Sequence, residues 1–188
     1  MSEAAIDTKH VCPASRAGWF STPLRRLAQD PERILRGLVA AGDTAIDLGC
    51  GPGFFTLPLA RMVGEKGTVI AVDLQPAMLE RLRLRAERAG LAARIRLHRC
   101  MADALGLSAE ADFALAFYML HEAPSAEAFL EQAHGTLRPG GKLLLVEPRG
   151  HVSAADFEGS VALAAKAGMK VLSEPRLAFS RGVLLERA

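Results

Sequence analysis

The sequence lacks three features that would place it in common classes of protein. Half of its 188 residues are apolar, but no uncharged apolar run reaches about 18 residues, so we expect no membrane-spanning helix. Residues 1–10 carry acidic side chains and lack an apolar core, so no signal peptide is expected there. Cys12, Cys50 and Cys100 form no C-x-x-C pair, which favours a reducing cytoplasm over a disulfide framework.

The sequence also has no large excess of positive or negative charge. The formal net charge of +2 argues against a broad nucleic-acid surface. Arg81, Arg85 and Arg88 recur at helical spacing, but Glu80 and Glu87 lie among them, which is typical of a solvated helix face. The length fits one domain that buries a substantial core. We therefore expect a soluble single domain, with nucleic acid an unlikely partner and self-association left open.

Residues 45–55 are the most informative segment. They predict a buried strand, a turn with glycine at every second position, and the start of a helix. Glycine accepts positive φ angles and lets a ligand lie directly against the backbone. Asp47 adds a carboxylate at the end of this strand, and the next predicted strand ends at Asp73. An acid at that second position commonly binds a ribose diol in a doubly wound sheet, so the pattern predicts a nucleoside site.

The glycine spacing discriminates between nucleosides. A dinucleotide fingerprint has the form G-x-G-x-x-G, with pyrophosphate at the helix N-terminus. Here the glycines are Gly49, Gly51 and Gly53, and the third fingerprint position falls on Phe54. A phenylalanine would crowd the strand–helix contact that the third glycine permits. The spacing therefore disfavours a nicotinamide dinucleotide.

Predicted strands and helices alternate along the rest of the chain, which indicates a parallel sheet covered by helices on both faces. Helices are expected to begin near Thr22 and Asp30, each before a proline, and the second to end at Gly42. Another helix stops at Gly64, and the helix opened by Pro76 closes at Gly90. Residues 1 to about 20 show no periodicity and are interpreted as an arm.

The strand sequences predict their order. Continuous apolar runs are typical of central strands, whereas alternating charge or an internal proline is typical of an edge. The final run is apolar enough to lie between an edge and a central strand, and its short connection requires antiparallel pairing. The predicted central strands are 44–48, 113–120 and 142–146; the predicted edges are 94–99 and 170–177, which contains Pro175; the final strand is 182–187.

Together these motifs resemble the class I S-adenosylmethionine-dependent methyltransferases. The segments that match are the D-x-G-x-G-x-G turn, residues 101–103, residues 112–122 and the L-R-P-G-G turn at 137–141. The resemblance covers residues 43–188 and implies an α/β, doubly wound, Rossmann-like sheet of seven strands, ordered 3-2-1-4-5-7-6 with the last strand antiparallel. Residues 1–42 would form an N-terminal arm and cap helices. The general sequence is most similar to the ubiquinone/menaquinone-biosynthesis type.

The resemblance implies roles for individual residues around S-adenosylmethionine. The glycine turn would pass the methionine portion, Asp47 would bind its amino group, and Asp73 would bind the ribose hydroxyls. The other cofactor residues that it implies are Cys50 within the turn, Leu74 on the adenine, Ala102 and Asp103 at the adenine edge, and Phe117 near the sulfonium. Phe117 as a core residue and Asp103 as a loop acid are the alternatives.

His121 and Glu122 follow a buried strand at its carboxyl end, where ligands of open α/β sheets bind. His121 could act as a general base toward a hydroxyl, thiol or carbon acid. Methyl transfer from a sulfonium also proceeds by in-line positioning, so a structural role for His121 stays open. Trp19 and Phe20 are candidates either for a lid over the pocket or for an anchor of the arm.

The sequence thus predicts a cytoplasmic enzyme that transfers a methyl group from S-adenosylmethionine to a small molecule. The acceptor atom could be oxygen, carbon, nitrogen or sulfur. Residues 117–120 do not match the [DN]-P-P-[YFW] motif of amino methyltransferases that act on DNA bases. A nicotinamide-dependent oxidoreductase and a non-catalytic S-adenosylmethionine-binding subunit are the alternatives. No metal site is expected, because the three cysteines are not placed like those of arsenite methyltransferases.

Overall fold

The computed structural model describes residues 29–188. The expected arm, the helix start at Thr22, the Trp19–Phe20 lid and Cys12 lie outside the described residues. Within residues 29–188, no helix is long and apolar enough to cross a membrane.

Helices and strands alternate through most of the described chain. The helices are α1 (Pro31–Leu35), α2 (Thr56–Met62), α3 (Pro76–Arg88), α4 (Ala126–Thr136) and α5 (Ala154–Lys166). The strands are β1 (Thr44–Leu48), β2 (Thr68–Asp73), β3 (Ile95–Arg99), β4 (Ala111–Phe117), β5 (Leu137–Pro148), β6 (Met169–Ser173) and β7 (Ser180–Arg187). Short 3₁₀ turns occur at Ala92–Arg94 and Leu120–Glu122.

The seven strands form one sheet in the order β3-β2-β1-β4-β5-β7-β6. The pairs from β3 to β5 are parallel, and β7 runs antiparallel to both β5 and β6. The predicted strand order, the two edge strands and the antiparallel final strand are therefore confirmed. The parallel strands place their carboxyl ends at one edge of the sheet, which is where the predicted site residues meet.

Each face of the sheet is covered by its own set of helices. In β4, Phe113, Leu115 and Phe117 pack in the cluster that includes residues of α1, α2 and α3. Ala114 and Ala116 pack in the other cluster, with residues of α4 and α5. This alternation follows from the two-residue period of a strand. Because both faces of the sheet are covered, the side chains on both sides of a central strand are apolar, and the strand appears in the sequence as a continuous apolar run.

Several predicted boundaries are wrong, and each has a backbone cause. Helix α1 ends at Leu35 rather than Gly42, because Arg36 leaves the helical region with a ψ of 124° and Gly37 follows with a φ of 77°. Strand β4 ends at Phe117 rather than Leu120, because Tyr118 adopts a φ of 63° and turns the chain out of the sheet. The apolar residues beyond each end still pack against the core, so apolarity alone did not indicate where the element stops.

The last strands also differ from their predicted bounds. Strand β6 ends at Ser173, so Pro175 lies beyond it rather than within an edge strand. Strand β5 extends from Leu137 to Pro148, and the predicted turn at 137–141 is an irregularity within it, opposite the β4 segment between Ala111 and Phe113. A longer β5 has a direct consequence for the site, because it brings Glu147 into the strand.

Candidate functional site

The carboxyl ends of β1, β2, β4 and β5 bring the predicted site residues to one edge of the sheet. Leu48 pairs with Val72, and Phe117 pairs with Val146. The glycine turn therefore emerges beside the end of β2, and the segment after β4 emerges beside Glu147. Ligands of open α/β sheets bind in this crevice.

The glycine turn has the backbone that its sequence predicts. Gly49, Gly51 and Gly53 have φ angles of 75°, 51° and 88°, which residues with a Cβ atom adopt only with strain. A Cβ atom on Gly53 would approach Leu82 Cδ1 to 2.4 Å, so this glycine allows the turn to pack on α3. A Cβ atom on Gly51 would meet no protein atom within 4 Å. The turn is thus closed on the α3 side and open beside Gly51.

Asp73 holds this turn in place. Its carboxylate accepts hydrogen bonds from the Gly51 N–H and the Gln75 N–H, both at 2.8 Å. The residue is 8% exposed, and its pKa is raised above the ordinary value because burial outweighs the backbone hydrogen bonds. One acid therefore links the open glycine to the end of β2. Leu74, which follows directly, is half-buried.

Asp47 lies deeper than Asp73, beneath the turn. It is 3% exposed, and Thr56 Oγ1 donates a hydrogen bond of 2.6 Å to its Oδ2 atom. This contact ties the end of β1 to the start of α2. Cys50 is buried in the same turn, and burial raises the pKa of its thiol well above the ordinary value.

The segment after β3 lies beside the end of β2. The Cys100 N–H donates to the Asp73 carbonyl at 3.2 Å, and Ala102 and Asp103 follow in exposed positions. Gln132 of α4 fixes this segment, since its Nε2 donates to the Asp103 carbonyl at 3.0 Å and its Oε1 accepts from the Leu105 N–H at 2.7 Å. Ala102 and Asp103 line a small cavity together with residues 123–125, which follow β4.

Aromatic rings lie between the glycine turn and the end of β4. The ring of Phe117 contacts those of Phe55 and Tyr118, with centroids 4.4 and 4.5 Å apart. Phe117 is 7% exposed, so most of its surface packs in the core. The Tyr118 hydroxyl bonds to Ser180 Oγ and accepts from Gln29 Nε2, which joins the start of the described chain to β7.

His121 forms a pair with Glu147 of β5. The Nδ1 atom of His121 contacts Glu147 Oε2, while Glu147 Oε1 accepts from the Leu120 N–H at 2.9 Å. Glu147 is 1% exposed, whereas the His121 side chain is 25% exposed. This hydrogen bond raises the pKa of His121 above its ordinary value. A buried carboxylate therefore holds an imidazole at the surface of the crevice.

Glu122 and His151 lie near this pair. Glu122 is half-buried in the same 3₁₀ turn, and its charge makes a smaller contribution to the raised pKa of His121. The His151 ring lies edge-on to that of His121, with a centroid separation of 5.9 Å. Within the described part of the chain, no group of His, Cys, Asp and Glu side chains could hold a metal ion.

The sequence did not indicate Glu147 or Tyr118 as site residues. Glu147 stands one position beyond the predicted end of β5, as a single carboxylate after four apolar residues. That isolated charge at the carboxyl end of a central strand was the available signal. Tyr118 was read as a strand residue, and its positive φ has no signature in the sequence.

These residues fit a nucleoside ligand. Beside Gly51 there is open space that a Cβ atom would occupy, and the adjacent carboxylate of Asp73 is already held in position. A carboxylate oxygen that accepts one backbone hydrogen bond retains further acceptor capacity for hydroxyl groups. The segment that carries Ala102 and Asp103 begins at Cys100, whose N–H bonds to the Asp73 carbonyl, so this segment leaves the sheet on the β3 side of the acid.

Comparisons with known proteins agree with this arrangement. A family model described as "Methyltransferase domain" matches residues 45–141, which is just over half of the chain. That range begins in β1 and ends in β5, so it contains the glycine turn, Asp73 and His121.

Curated relatives are similar over part of their length. A demethylmenaquinone methyltransferase from Lactobacillus johnsonii is 33% identical over 110 residues, which are 58% of this chain and 45% of the relative. The aklanonic acid methyltransferase DauC from Streptomyces sp. is 31% identical over 131 residues, 69% of this chain and 56% of the relative. The chain thus spans about half the length of the curated relatives it matches.

Among solved structures, a SAM-dependent methyltransferase from Aquifex aeolicus superposes with a TM-score of 0.85. The alignment covers 94% of this chain and 100% of that chain, at 24% sequence identity. The likeness confirms the predicted Rossmann-like fold.

Proposed function

Because the chain belongs to the methyltransferase domain family, we propose that it transfers a methyl group from S-adenosylmethionine to a small-molecule acceptor. The observation that carries the proposal is the hydrogen bond from the Gly51 N–H to the buried Asp73 carboxylate. It joins an open stretch of backbone to a fixed acceptor for a ribose diol. When bound, S-adenosylmethionine supplies an electrophilic methyl group on a sulfonium sulfur.

Each cofactor residue takes its role from its place in the crevice. Gly49, Gly51 and Gly53, with Cys50 between them, border the methionine portion. Asp73 binds the ribose hydroxyls, and Leu74 packs on the adenine. Ala102 and Asp103 border the adenine edge, because they lie in the segment that follows β3, the strand beside Asp73.

Asp47 and Phe117 act from the floor of the site. Asp47 is bonded to Thr56 beneath the turn, so we propose that it orients the turn and reaches the cofactor amino group through water. Phe117 is the last residue of β4 and packs against Phe55, which follows the glycine turn; we place its ring beside the sulfonium. His121 and Glu122 stand beyond this floor as the candidate catalytic residues on the acceptor side.

Support for a small acceptor comes from the relatives, which are named for demethylmenaquinone and aklanonic acid. The low net charge of +2 also gives little long-range attraction for nucleic acid. We further propose that the protein acts in the cytoplasm, in line with the free thiols of Cys50 and Cys100. Self-association stays open, and light scattering of the purified chain decides it.

The alternatives are disfavoured. In an oxidoreductase, the third fingerprint glycine would replace Phe54, whereas here Gly53 makes the close packing on Leu82. The family match names methyl transfer rather than hydride transfer. A non-catalytic binding subunit would show no labelled product with any acceptor.

Isothermal titration calorimetry tests the cofactor assignment. S-adenosylmethionine and S-adenosylhomocysteine should bind, and NAD and NADP should not. Asp73→Ala should weaken the binding of S-adenosylmethionine and of S-adenosylhomocysteine by about 10- to 150-fold, since hydrogen bonds to a charged group contribute roughly 1.5–3 kcal/mol. Asp156→Ala, which removes an exposed helix acid, is the matched control and should bind normally. Tight NAD binding, or full affinity in the Asp73 variant, contradicts the assignment.

A further inference from the structure

Glu147 is a buried carboxylate whose two oxygens bind different parts of the segment after β4. One oxygen accepts the Leu120 N–H, and the other pairs with His121 Nδ1. We propose that Glu147 is a positioning residue that makes His121 a general base for a hydroxyl group on the acceptor. The proposal rests on the proposed function and names the class of its substrate.

The fold fixes this pair from two strands. Glu147 continues the alternation of Leu143 and Leu145, whose side chains lie in the core cluster that contains Leu120. The positive φ of Tyr118 turns the chain so that Leu120 and His121 return over the end of β5. Two hydrogen bonds from adjacent residues to one buried carboxylate then set the direction of the imidazole.

The pairing determines which imidazole nitrogen can act as a base. When Nδ1–H donates to Glu147, the lone pair of the neutral ring resides on Nε2. The buried carboxylate also stabilises the imidazolium that forms when Nε2 takes a proton. The same logic explains the raised pKa of His121, whose largest cause is the hydrogen bond to Glu147.

The chemical step balances without any further reactant. The acceptor O–H proton moves to Nε2 of His121, and the electron pair left on the acceptor forms the new bond to the methyl carbon. The carbon–sulfur bond breaks, its electron pair stays on sulfur, and the sulfonium charge is neutralised. His121 then returns its proton to water.

The need for a base limits the acceptor class. A hydroxyl group is largely protonated at neutral pH, so it becomes a strong nucleophile only as a general base removes its proton. Thiols ionise sufficiently by themselves near pH 8.5, so a thiol acceptor would not require the pair.

The titratable groups that face His121 determine the pH range in which its imidazole is protonated. They are Glu147 from β5, Glu122 from its own turn and the His151 ring from the segment after β5. Of these, Glu147 makes the largest contribution to the raised pKa. Glu147→Gln keeps the side-chain shape and an acceptor for the Leu120 N–H, but removes the charge.

The first test is a nuclear magnetic resonance titration of His121 in the full chain without ligands. Glu147→Gln should lower the pKa of His121, because it removes the opposite charge and the charged hydrogen-bond partner that favour the imidazolium. Glu127→Gln removes a carboxylate that pairs with Lys166 on the surface and should leave His121 unchanged. An unchanged His121 pKa in Glu147→Gln overturns the positioning role.

The second test identifies the product. Methyl-labelled S-adenosylmethionine is incubated with the protein and a small-molecule extract of cells, and the labelled product is identified. A methyl ether is expected, or a ring-methylated phenol whose ring carbon loses its own proton to solvent after the new bond forms; a thioether or methylamine overturns the proposal.

With this product assay, His121→Gln should lower turnover by about 10²–10⁴-fold without changing cofactor affinity. Glu147→Gln should lower turnover and move the rising limb of the pH–rate profile to lower pH, with the KM of the acceptor little changed. Full turnover in stably folded His121→Gln excludes it as the base. Failure of the wild-type chain to bind S-adenosylmethionine contradicts the proposed function instead, and calorimetry separates these outcomes.

Discussion

At the scale of single residues, Asp73 and Glu147 perform parallel tasks. Each is a nearly fully buried carboxylate at the carboxyl end of a strand, and each accepts a backbone N–H from the segment that follows a neighbouring strand. Asp73 thereby orders the glycine turn, and Glu147 orders the segment that carries His121. Burial makes both contacts important for stability, because a buried acceptor left without its donors would lower the free energy of unfolding by about 1–3 kcal/mol.

The His121–Glu147 pair predicts how stability depends on pH. Since the folded-state pKa of His121 is raised, its contribution is fully present below the unfolded-state pKa near 6.5 and is lost as pH rises through the folded value. Urea unfolding at pH 5.5 and pH 9 should therefore show a larger stability difference between wild type and His121→Gln at the lower pH. An equal difference at both pH values contradicts the pairing.

The sequence indicated His121 but not its partner, for a physical reason. The two residues are 26 positions apart and meet only because β4 and β5 are neighbours in the sheet. Local patterns do not encode which side chains meet across strands. Asp73 was predictable, because its position follows from the spacing between a glycine turn and the end of the next strand.

At the scale of elements, Gly51 and Gly53 contribute differently to the glycine turn. Gly53→Ala should reduce the free energy of unfolding by about 2–5 kcal/mol, because it adds left-handed strain and overpacks Leu82, which is fully buried. Gly51→Ala should cost only about 1–2 kcal/mol, since its Cβ atom would enter open space. Chemical denaturation of both variants measures this difference.

For the loss of affinity toward S-adenosylhomocysteine, the two variants should rank in the reverse order, with the larger loss in Gly51→Ala. The Cβ atom of Gly51→Ala would occupy the space beside Asp73, so the affinity for S-adenosylhomocysteine should fall well beyond the loss of stability. Leu82→Ala and Gly53→Ala together should destabilise the fold by less than the sum of their separate effects, because the shorter side chain removes the clash with the new Cβ atom. If Gly51→Ala binds normally, the open space beside this turn is not the cofactor site.

Boundaries of elements were the weakest part of the sequence prediction. Apolar residues after α1 and β4 continue the expected pattern and remain packed in the core, yet the backbone leaves the helix at Arg36 and the strand at Tyr118. Hydrophobicity reports burial, whereas the end of an element depends on the backbone angles of one or two residues. Caps and breakers that impose such angles were read correctly at Gly90, which closes α3 with a φ of 67°.

At the scale of the whole molecule, the sheet order followed from the sequence. Strands β1 and β4 are almost fully buried, whereas β3 and β6 carry exposed residues. Exposure of this kind results from having one neighbour instead of two, and it leaves a charged or polar pattern that can be read directly. The insertion of β7 beside β5 followed from its apolar sequence and short connection.

This arrangement predicts the distribution of local stability. Hydrogen exchange monitored by mass spectrometry should show the slowest amides in β1 and β4, with opening energies near the global value. Amides of β3 and β6 should exchange faster, because each edge strand has a single neighbour in the sheet. Uniform protection across all seven strands would contradict the assignment of the edges.

The place of β7 also distinguishes the two halves of the site. Strand β5 carries Glu147, but one of its two neighbours is formed by residues 180–187, which leave the ribosome after all the other elements described. Glu147 pairs in register with Arg181. The strand that carries Glu147 therefore depends on residues 180–187 for one of its two neighbours, whereas β1 and β2, which flank the cofactor turn, make no pair with β7.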